Sequence, residues 1–127
     1  MDSKAINQAN NWSYWSEAYK NELKNAHLNP NVGDKVVFEN DEFRIWTIHL
    51  HPGDRIPFHI HRQDYYWTAL SEGTARSHFD DGSVVEGHYD IGDTKYFKHL
   101  NEENYFIHDL HNIGDSVLIF STVEFKN

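Results

Sequence analysis

Residues 52–66 read PGDRIPFHIHRQDYY, and the pair His59-Ile60-His61 within this stretch decides how the chain is interpreted. Pro57 cannot donate to a sheet ladder, which indicates that a strand begins close to it. Side chains two residues apart on a strand point to the same face of the sheet. The sequence therefore predicts a strand that presents the imidazoles of His59 and His61 side by side, at a separation that one metal ion can bridge.

A third histidine, His108, lies in a second alternating segment at residues 106–110. A neighbouring antiparallel strand would bring it across from His59 and His61. Three protein ligands with open positions are typical of a catalytic or ligand-binding metal and not of a closed structural site. Imidazoles without a carboxylate suit Fe, Zn, Ni or Cu and suit Mn less well. We therefore expect one divalent transition metal, one of these four, on His59, His61 and His108.

Short segments rich in β-forming residues fill the chain after residue 34, with turn signals such as Asp80-Asp81-Gly82 between them. This pattern predicts a β-sandwich or barrel and not β-α-β units. The nine predicted strands are residues 35–38, 43–50, 56–61, 65–70, 74–79, 83–89, 94–97, 105–111 and 116–125.

Residues 12–28 have helical periodicity, because apolar residues recur there at spacings of three or four. These residues are called the apolar stripe below: Trp12, Trp15, Tyr19, Leu23 and Ala26. We expect Ser13 to cap the helix and Asn29-Pro30 to end it. The stripe either covers one side of the barrel, which we favour, or forms a subunit contact. Residues 1–11 are polar, and we expect them to be loose.

The spacing around the histidine pair resembles the first motif of the cupins. Five residues separate Gly53 from His59, four separate His61 from Tyr66, and six separate Tyr66 from Gly73. His108, followed after three residues by Asn112, resembles the end of the second cupin motif. That second stretch departs from the usual pattern, because it is longer and Glu103-Asn104-Tyr105 replaces its Pro-x-Gly.

More narrowly, the chain resembles small single-domain cupins of the cupin 2 type, including those labelled β-alanine-degradation cupins. The resemblance covers roughly residues 36–126 and includes ENDEFRIW at 39–46 and HDLHNIGD at 108–115. It implies an all-β fold, the double-stranded β-helix or jelly-roll barrel, with a metal in the barrel mouth and frequent dimers. We accordingly divide the chain into an N-terminal extension with a short helix, residues 1–34, and a cupin barrel, residues 35–127.

Tyr66 stands where the first cupin motif usually has glutamate, so the resemblance places it on the inner face of its strand. A phenol there could bind the metal, could donate a proton to a bound oxygen ligand, or could fill space. We assign it the donor role, as a catalytic residue. We expect Asp109 to be exposed. Asp64 and His111 could orient the ligand histidines, although solvent-facing roles fit them better, and four further residues could line the cavity: Arg44, Trp46, Arg76 and Tyr96.

The formal net charge of −9 works against nucleic acid, where cationic side chains supply most of the affinity, and against an anionic membrane surface. The chain has no cysteine, no apolar run long enough to span a bilayer, and no signal-peptide pattern at Met1. We therefore expect a soluble cytoplasmic protein without nucleic-acid or membrane partners. The resemblance to cupins, together with the apolar stripe, implies a homodimer.

Three functions remain open from the sequence. The first is a metal-dependent enzyme acting on a small organic acid or similar metabolite. Its chemistry would be that of a dioxygenase-type oxidoreductase, or of an isomerase or lyase. The second is a non-enzymatic binder or sensor of a small molecule, and the third is a structural dimer without a cofactor. Cupins have very diverse activities, and fold alone does not decide among them.

Overall fold

Strands make up about half of the computed structural model, which describes residues 1–126. The strands are β1 Asp2–Asn7, β2 Lys35–Glu39, β3 Phe43–Leu50, β4 Arg55–His61, β5 Tyr65–Ala69, β6 Gly73–His78, β7 Val84–Tyr89, β8 Thr94–Phe97, β9 Phe106–Asn112 and β10 Leu118–Phe125. The helix α1 spans Glu17–Lys24, and single 3₁₀ turns lie at Trp12–Tyr14 and Ala26–Leu28.

Two five-stranded antiparallel sheets face each other. The first, sheet A, has the order β1-β7-β6-β9-β4, and the second, sheet B, has the order β2-β3-β10-β5-β8. Strands distant in sequence are neighbours, since β4 pairs with β9 and β3 pairs with β10. The architecture confirms the predicted all-β double-stranded β-helix barrel with a short N-terminal helix.

All nine strands predicted from residue 35 onward are present, with ends that differ by at most two residues. The expectation that residues 1–11 are loose is wrong, because Asp2–Asn7 forms β1 and pairs antiparallel with β7. Most side chains of β1 are exposed, as suits an edge strand, so its sequence carries no apolar alternation. β1 lies in the segment that we assigned to the N-terminal extension; the division at residue 34 stays a prediction.

The predicted helix over 12–28 is interrupted. Trp15 is extended, with φ −82° and ψ 142°, and α1 begins only after Ser16. The backbone N–H of Tyr19 donates to Ser16 Oγ at 3.1 Å, so Ser16, and not Ser13, is the N-cap. The indole N–H of Trp15 donates to the carbonyl of Gly82 at 2.9 Å, and this bond fixes the chain where the helix is broken.

The apolar stripe packs on the outer face of sheet A. Trp15 and Ala26 are buried there against Phe58, Ile60 and Ile107, and the other members of the stripe are partly buried around them. The stripe therefore covers one side of its own barrel, as the favoured interpretation predicted.

Two positions of the first motif require glycine, each for a different structural reason. Gly53 has a φ of +89°, a backbone conformation that side chains with a Cβ rarely adopt, and it makes the turn between β3 and β4. A Cβ at Gly73 would lie 2.6 Å from Leu118 Cδ2, so the start of β6 can approach β10 only without a side chain.

Candidate metal centre

Three inward-facing histidines meet between strands β4 and β9. His59 lies directly opposite His108 in the antiparallel register, and His61 lies two residues further along β4. The Nε2 atoms of His59 and His61 are 3.1 Å apart, and those of His61 and His108 are 3.0 Å apart. The structure thus brings together the three residues that the sequence singled out, called the histidine cluster from here on.

Burial keeps the histidine cluster neutral. It lowers the pKa of His59 to about 4, against a smaller opposing effect from the backbone carbonyl of Pro57. Burial, and then the neighbouring imidazole of His59, lower the pKa values of His61 and His108 well below the usual range. Since a metal-binding imidazole must be unprotonated, these directions suit a ligand set.

The rings of the histidine cluster are oriented by one hydrogen bond and by aromatic stacking. His59 Nδ1 donates to the carbonyl of Pro57 at 2.8 Å, which leaves its Nε2 lone pair directed at the other two rings. His61 stacks on Tyr65 with ring centroids 4.1 Å apart, and His108 stacks on Phe79 at 5.3 Å. The Nδ1 atoms of His61 and His108 are buried and have no hydrogen-bond partner among residues 1–126.

The arrangement of the three Nε2 atoms fits a metal ion. Neutral imidazoles can pair through one N–H···N bond, but three nitrogens that converge on one point cannot all be satisfied in this way. A cation accepts three lone pairs at once. Metal–nitrogen bonds of about 2.0–2.1 Å allow one ion to reach nitrogens at the spacing observed here.

A cavity of about 580 Å³ opens above the histidine cluster. This volume lies within the usual range for small-molecule sites. Its walls are mainly apolar and aromatic, with Trp67, Tyr89, Phe97 and Phe120 among the lining residues. The cluster is therefore accessible to a small molecule and is not sealed inside a packed core.

The inner-face placement of Tyr66 is wrong. Tyr65 and Trp67 line the cavity, so the strand alternation turns Tyr66 to the opposite face of β5. The ring of Tyr66 lies 6.1 Å from that of Phe125, and Thr68 on the same face is hydrogen-bonded at the surface to Thr94. Tyr66 therefore does not occupy the catalytic position that the motif spacing assigned to it.

Tyr65 is the tyrosine at the site, and the sequence reasoning missed it. Besides stacking on His61, its ring stacks on Phe97 with centroids 4.7 Å apart. Burial raises the pKa of Tyr65 well above its ordinary value, so its phenol is neutral. The alternation of β5 could have indicated this choice, because Tyr65, Trp67 and Ala69 form a more apolar set than Tyr66, Thr68 and Leu70.

Of the four other residues considered for the cavity wall, only Tyr96 lines it. The remaining three are engaged elsewhere by carboxylates. Arg44 binds Glu39 and Glu124, the indole of Trp46 donates to Glu124, and Arg76 binds Glu86. Asp64 accepts a hydrogen bond from the backbone N–H of Leu100, not from a ligand histidine. His111 is half-buried on the opposite parity from His108.

The expectation that Asp109 is exposed is wrong, because its side chain has no exposed surface. It points to the outer face of β9, as its parity requires, but the helical segment covers that face. Its carboxylate accepts hydrogen bonds from Arg55 Nε at 2.7 Å and from the backbone N–H of His78 at 2.6 Å. Burial raises the pKa of Asp109, but the bonds and charges of His78 and Arg55 outweigh this and hold it below the usual range.

A second group of potential ligands, Glu72, His88 and Asp90, lies at the surface near the end of β7. His88 Nε2 is 3.7 Å from Glu72 and 3.8 Å from Asp90, and His88 Nδ1 is also 3.0 Å from Thr74 Oγ1. Exposed acidic groups of this kind are common without a metal, so this group does not by itself indicate a metal site.

The chain has the cupin fold. It is similar to a cupin domain from Bordetella pertussis Tohama I, with a TM-score of 0.64 and 20% identity over 78% of this chain and 97% of that one. It is also similar to an uncharacterized conserved protein with a double-stranded β-helix domain from Klebsiella pneumoniae, with a TM-score of 0.57 and 27% identity over 81% and 85%. An RmlC-like cupin family protein from Methanocaldococcus jannaschii has a TM-score of 0.54 and 17% identity over 75% and 92%.

These likenesses confirm the resemblance to cupins at the level of the fold, while the narrower likeness to β-alanine-degradation cupins stays a prediction. No protein-family model matches the sequence, and no curated protein does. Among residues 1–126, none of the helices has the length and apolar character needed to cross a membrane.

Proposed function

We propose that this protein is a metal-dependent enzyme that acts on a small organic acid, with chemistry of the dioxygenase type. The observation that carries the proposal is the convergence of the three Nε2 atoms at the inner wall of an accessible cavity. A closed structural site would use four protein ligands, whereas three leave positions for a substrate.

The chain's own residues would bind and shield the substrate. His59, His61 and His108 would hold a divalent transition metal, which would supply Lewis acidity and, if it is redox-active, a route for electrons to O₂. Stacking by Tyr65 and Phe79 holds two of the imidazoles in place. The apolar wall formed by Trp67 and Phe120 excludes water from the reacting groups, which strengthens electrostatic interactions there.

Metal content tests the ligand set directly. We expect about one divalent transition metal per chain in protein purified without a histidine tag, and loss of that metal in the His59→Ala and His108→Ala variants. The matched control is His88→Ala, which removes a half-buried histidine from the surface group with Glu72 and Asp90. Full occupancy in the His61→Ala/His108→Ala double variant would contradict the proposed site.

Turnover tests the enzymatic part of the proposal. The Fe(II)-loaded protein is expected to consume O₂ in the presence of a small keto or hydroxy acid, and His108→Ala protein is expected not to do so. Saturable binding without product, after loading in turn with Fe, Ni, Zn and Mn, would overturn the enzymatic proposal and favour a non-enzymatic binder.

A further inference from the structure

The cavity has an unusual balance of charge for this chain. The sequence contains 20 aspartates and glutamates against 11 lysines and arginines, yet among residues 1–126 no carboxylate side chain lines the cavity. Apart from the histidine cluster, the ionisable groups at the wall are tyrosines, Lys95, Lys98 and the amino group of Met1. The Met1 amino group is already paired with Asp93 at 3.1 Å, which leaves the two lysines as the positive groups to consider.

Lys95 is an exposed residue of the edge strand β8, on the strand face that borders the cavity. It stands opposite Trp67 in the β5–β8 register, and Trp67 lines the cavity. Phe97, two residues further along, shares that face, and Lys95 Nζ lies 5.0 Å from the centroid of its ring. No carboxylate within residues 1–126 forms an ion pair with Lys95 or Lys98. The ammonium group of Lys95 therefore lies over the aromatic wall with no anionic partner.

A row of parallel rings connects Lys95 to the histidine cluster. His61 stacks on Tyr65 at an interplanar angle of 14°, and Tyr65 stacks on Phe97 at 8°. Lys95 follows at the far end of this row. Because the faces of these rings cover one another, a ligand lying along the row would contact the apolar ring edges between the metal centre and the ammonium group.

We propose that the ligand of this cavity is an elongated aromatic carboxylate whose anionic group binds to Lys95 and whose apolar body lies along Tyr65 and Phe97. The proposal deepens the proposed function, since it assigns the substrate class of the same cavity. A single ammonium group matches a monoanion. A sugar fits poorly, because its many hydroxyls would lie against apolar walls without hydrogen-bond partners. A cationic ligand is disfavoured by Lys95.

Calorimetric titration with phenylbutyrate and its neutral analogue phenylbutanol tests the charge preference. We expect metal-free wild-type protein, prepared with a chelator, to bind phenylbutyrate about tenfold more tightly than phenylbutanol. A hydrogen bond to a charged group contributes a gain in affinity of about this size. Butyrate, which lacks the ring, is expected to bind more weakly than phenylbutyrate. The Lys95→Gln variant is expected to lose the tenfold preference while its affinity for phenylbutanol stays unchanged.

Lys35→Gln is the matched control, because Lys35 is an exposed lysine on β2, at the opposite edge of sheet B from β8. It is expected to retain the full preference. The proposal is overturned if Lys95→Gln also retains it, or if only Lys98→Gln removes it.

The metal-free condition separates this proposal from the proposed function. A preference for phenylbutyrate that exists only after metal loading would mean that the metal, and not Lys95, binds the carboxylate, and would overturn the inference while supporting the metal centre. If the wild-type protein takes up no metal when metal is offered but still prefers phenylbutyrate, the metal centre is contradicted and the inference about Lys95 stands.

Discussion

Arg55 Nε and Asp109 Oδ2 lie 2.7 Å apart on the outer face of sheet A, directly behind the histidine cluster. Arg55 also reaches Glu22 in α1 through two bonds of 2.8 Å, and Asp109 accepts from the backbone of His78. A carboxylate–guanidinium–carboxylate chain therefore joins α1, β4, β6 and β9. Two of these strands, β4 and β9, carry the three imidazoles on their other face.

Replacing Asp109 is expected to destabilise the fold. Asp109→Asn would leave Arg55 partly uncompensated beneath the helical segment, and breaking a buried pair costs about 3–5 kcal/mol in free energy of unfolding. We expect a value near the lower end, because Glu22 still binds Arg55. Urea unfolding measures the change. Glu39→Gln, which removes a more exposed partner of Arg44, is the control and is expected to cost about 1 kcal/mol or less. Equal costs for the two variants would contradict the prediction.

Acid is expected to weaken the link between α1 and the barrel through Glu22. Desolvation raises the pKa of Glu22, but the hydrogen bonds from Arg55 and from the backbone N–H of Phe58 lower it further, so that the net shift is downward. A carboxyl whose pKa is lower in the folded state stabilises the fold above its unfolded pKa of about 4.3, and this contribution is lost as the pH falls through the folded pKa.

The measurement is the free energy of unfolding as the pH falls from about 5 to about 3, across the unfolded pKa of glutamate. We expect a smaller decrease in Glu22→Gln than in the wild type. Glu17→Gln, at an exposed position in the same helix, is expected to follow the wild type. Identical pH profiles for wild type and Glu22→Gln would show that this pair does not contribute to acid sensitivity.

Trp15 is expected to account for much of the stability that the apolar stripe provides. Its ring stacks on Phe58 with centroids 5.5 Å apart, and its indole N–H donates to Gly82. Trp15→Ala is expected to cost about 3–5 kcal/mol in free energy of unfolding. Tyr14 is 47% exposed, and Tyr14→Ala is expected to change stability by about 0.5 kcal/mol or less. A Trp15→Ala protein as stable as Tyr14→Ala would mean that the stripe is not a structural cover.

The strands and the histidine cluster could be predicted because both follow from the alternation of side chains along a strand. His59 and His61 share a face wherever their strand pairs, and residues 59–61 of β4 pair in regular register with residues 106–108 of β9, beyond the irregularity between Ile56 and His59. The turn glycines mark where these segments end. Predicting the histidine cluster therefore required only the alternation of side chains within each strand and the pairing of that strand with one antiparallel neighbour.

The choice between Tyr65 and Tyr66 could not be made from motif spacing, because parity does not carry across the irregular stretch 62–64. In the structure, Tyr65 faces the interior of the barrel on the same side of β5 as Trp67. Leu70, which shares the parity of Tyr66, is 52% exposed.

Asp109 was misplaced for a different reason. It lies on the opposite face of β9 from His108, and the cover over that face comes from the helical segment and from Arg55, which is 54 residues away in sequence.

The two adjacent tyrosines of β5 provide a matched pair for testing the metal centre. Tyr65→Ala removes the ring that stacks on His61, and loss of a group that orients a ligand typically lowers metal affinity by about 10- to 100-fold. Tyr65→Phe keeps the ring and is expected to keep the affinity of the wild type, which would show that the ring, and not the hydroxyl, orients His61. Tyr66→Ala, with its ring on the opposite face, is expected to leave the affinity unchanged. Competition with a chromophoric chelator measures all three variants, and a loss confined to Tyr66→Ala would restore Tyr66 to the site and remove Tyr65 from it.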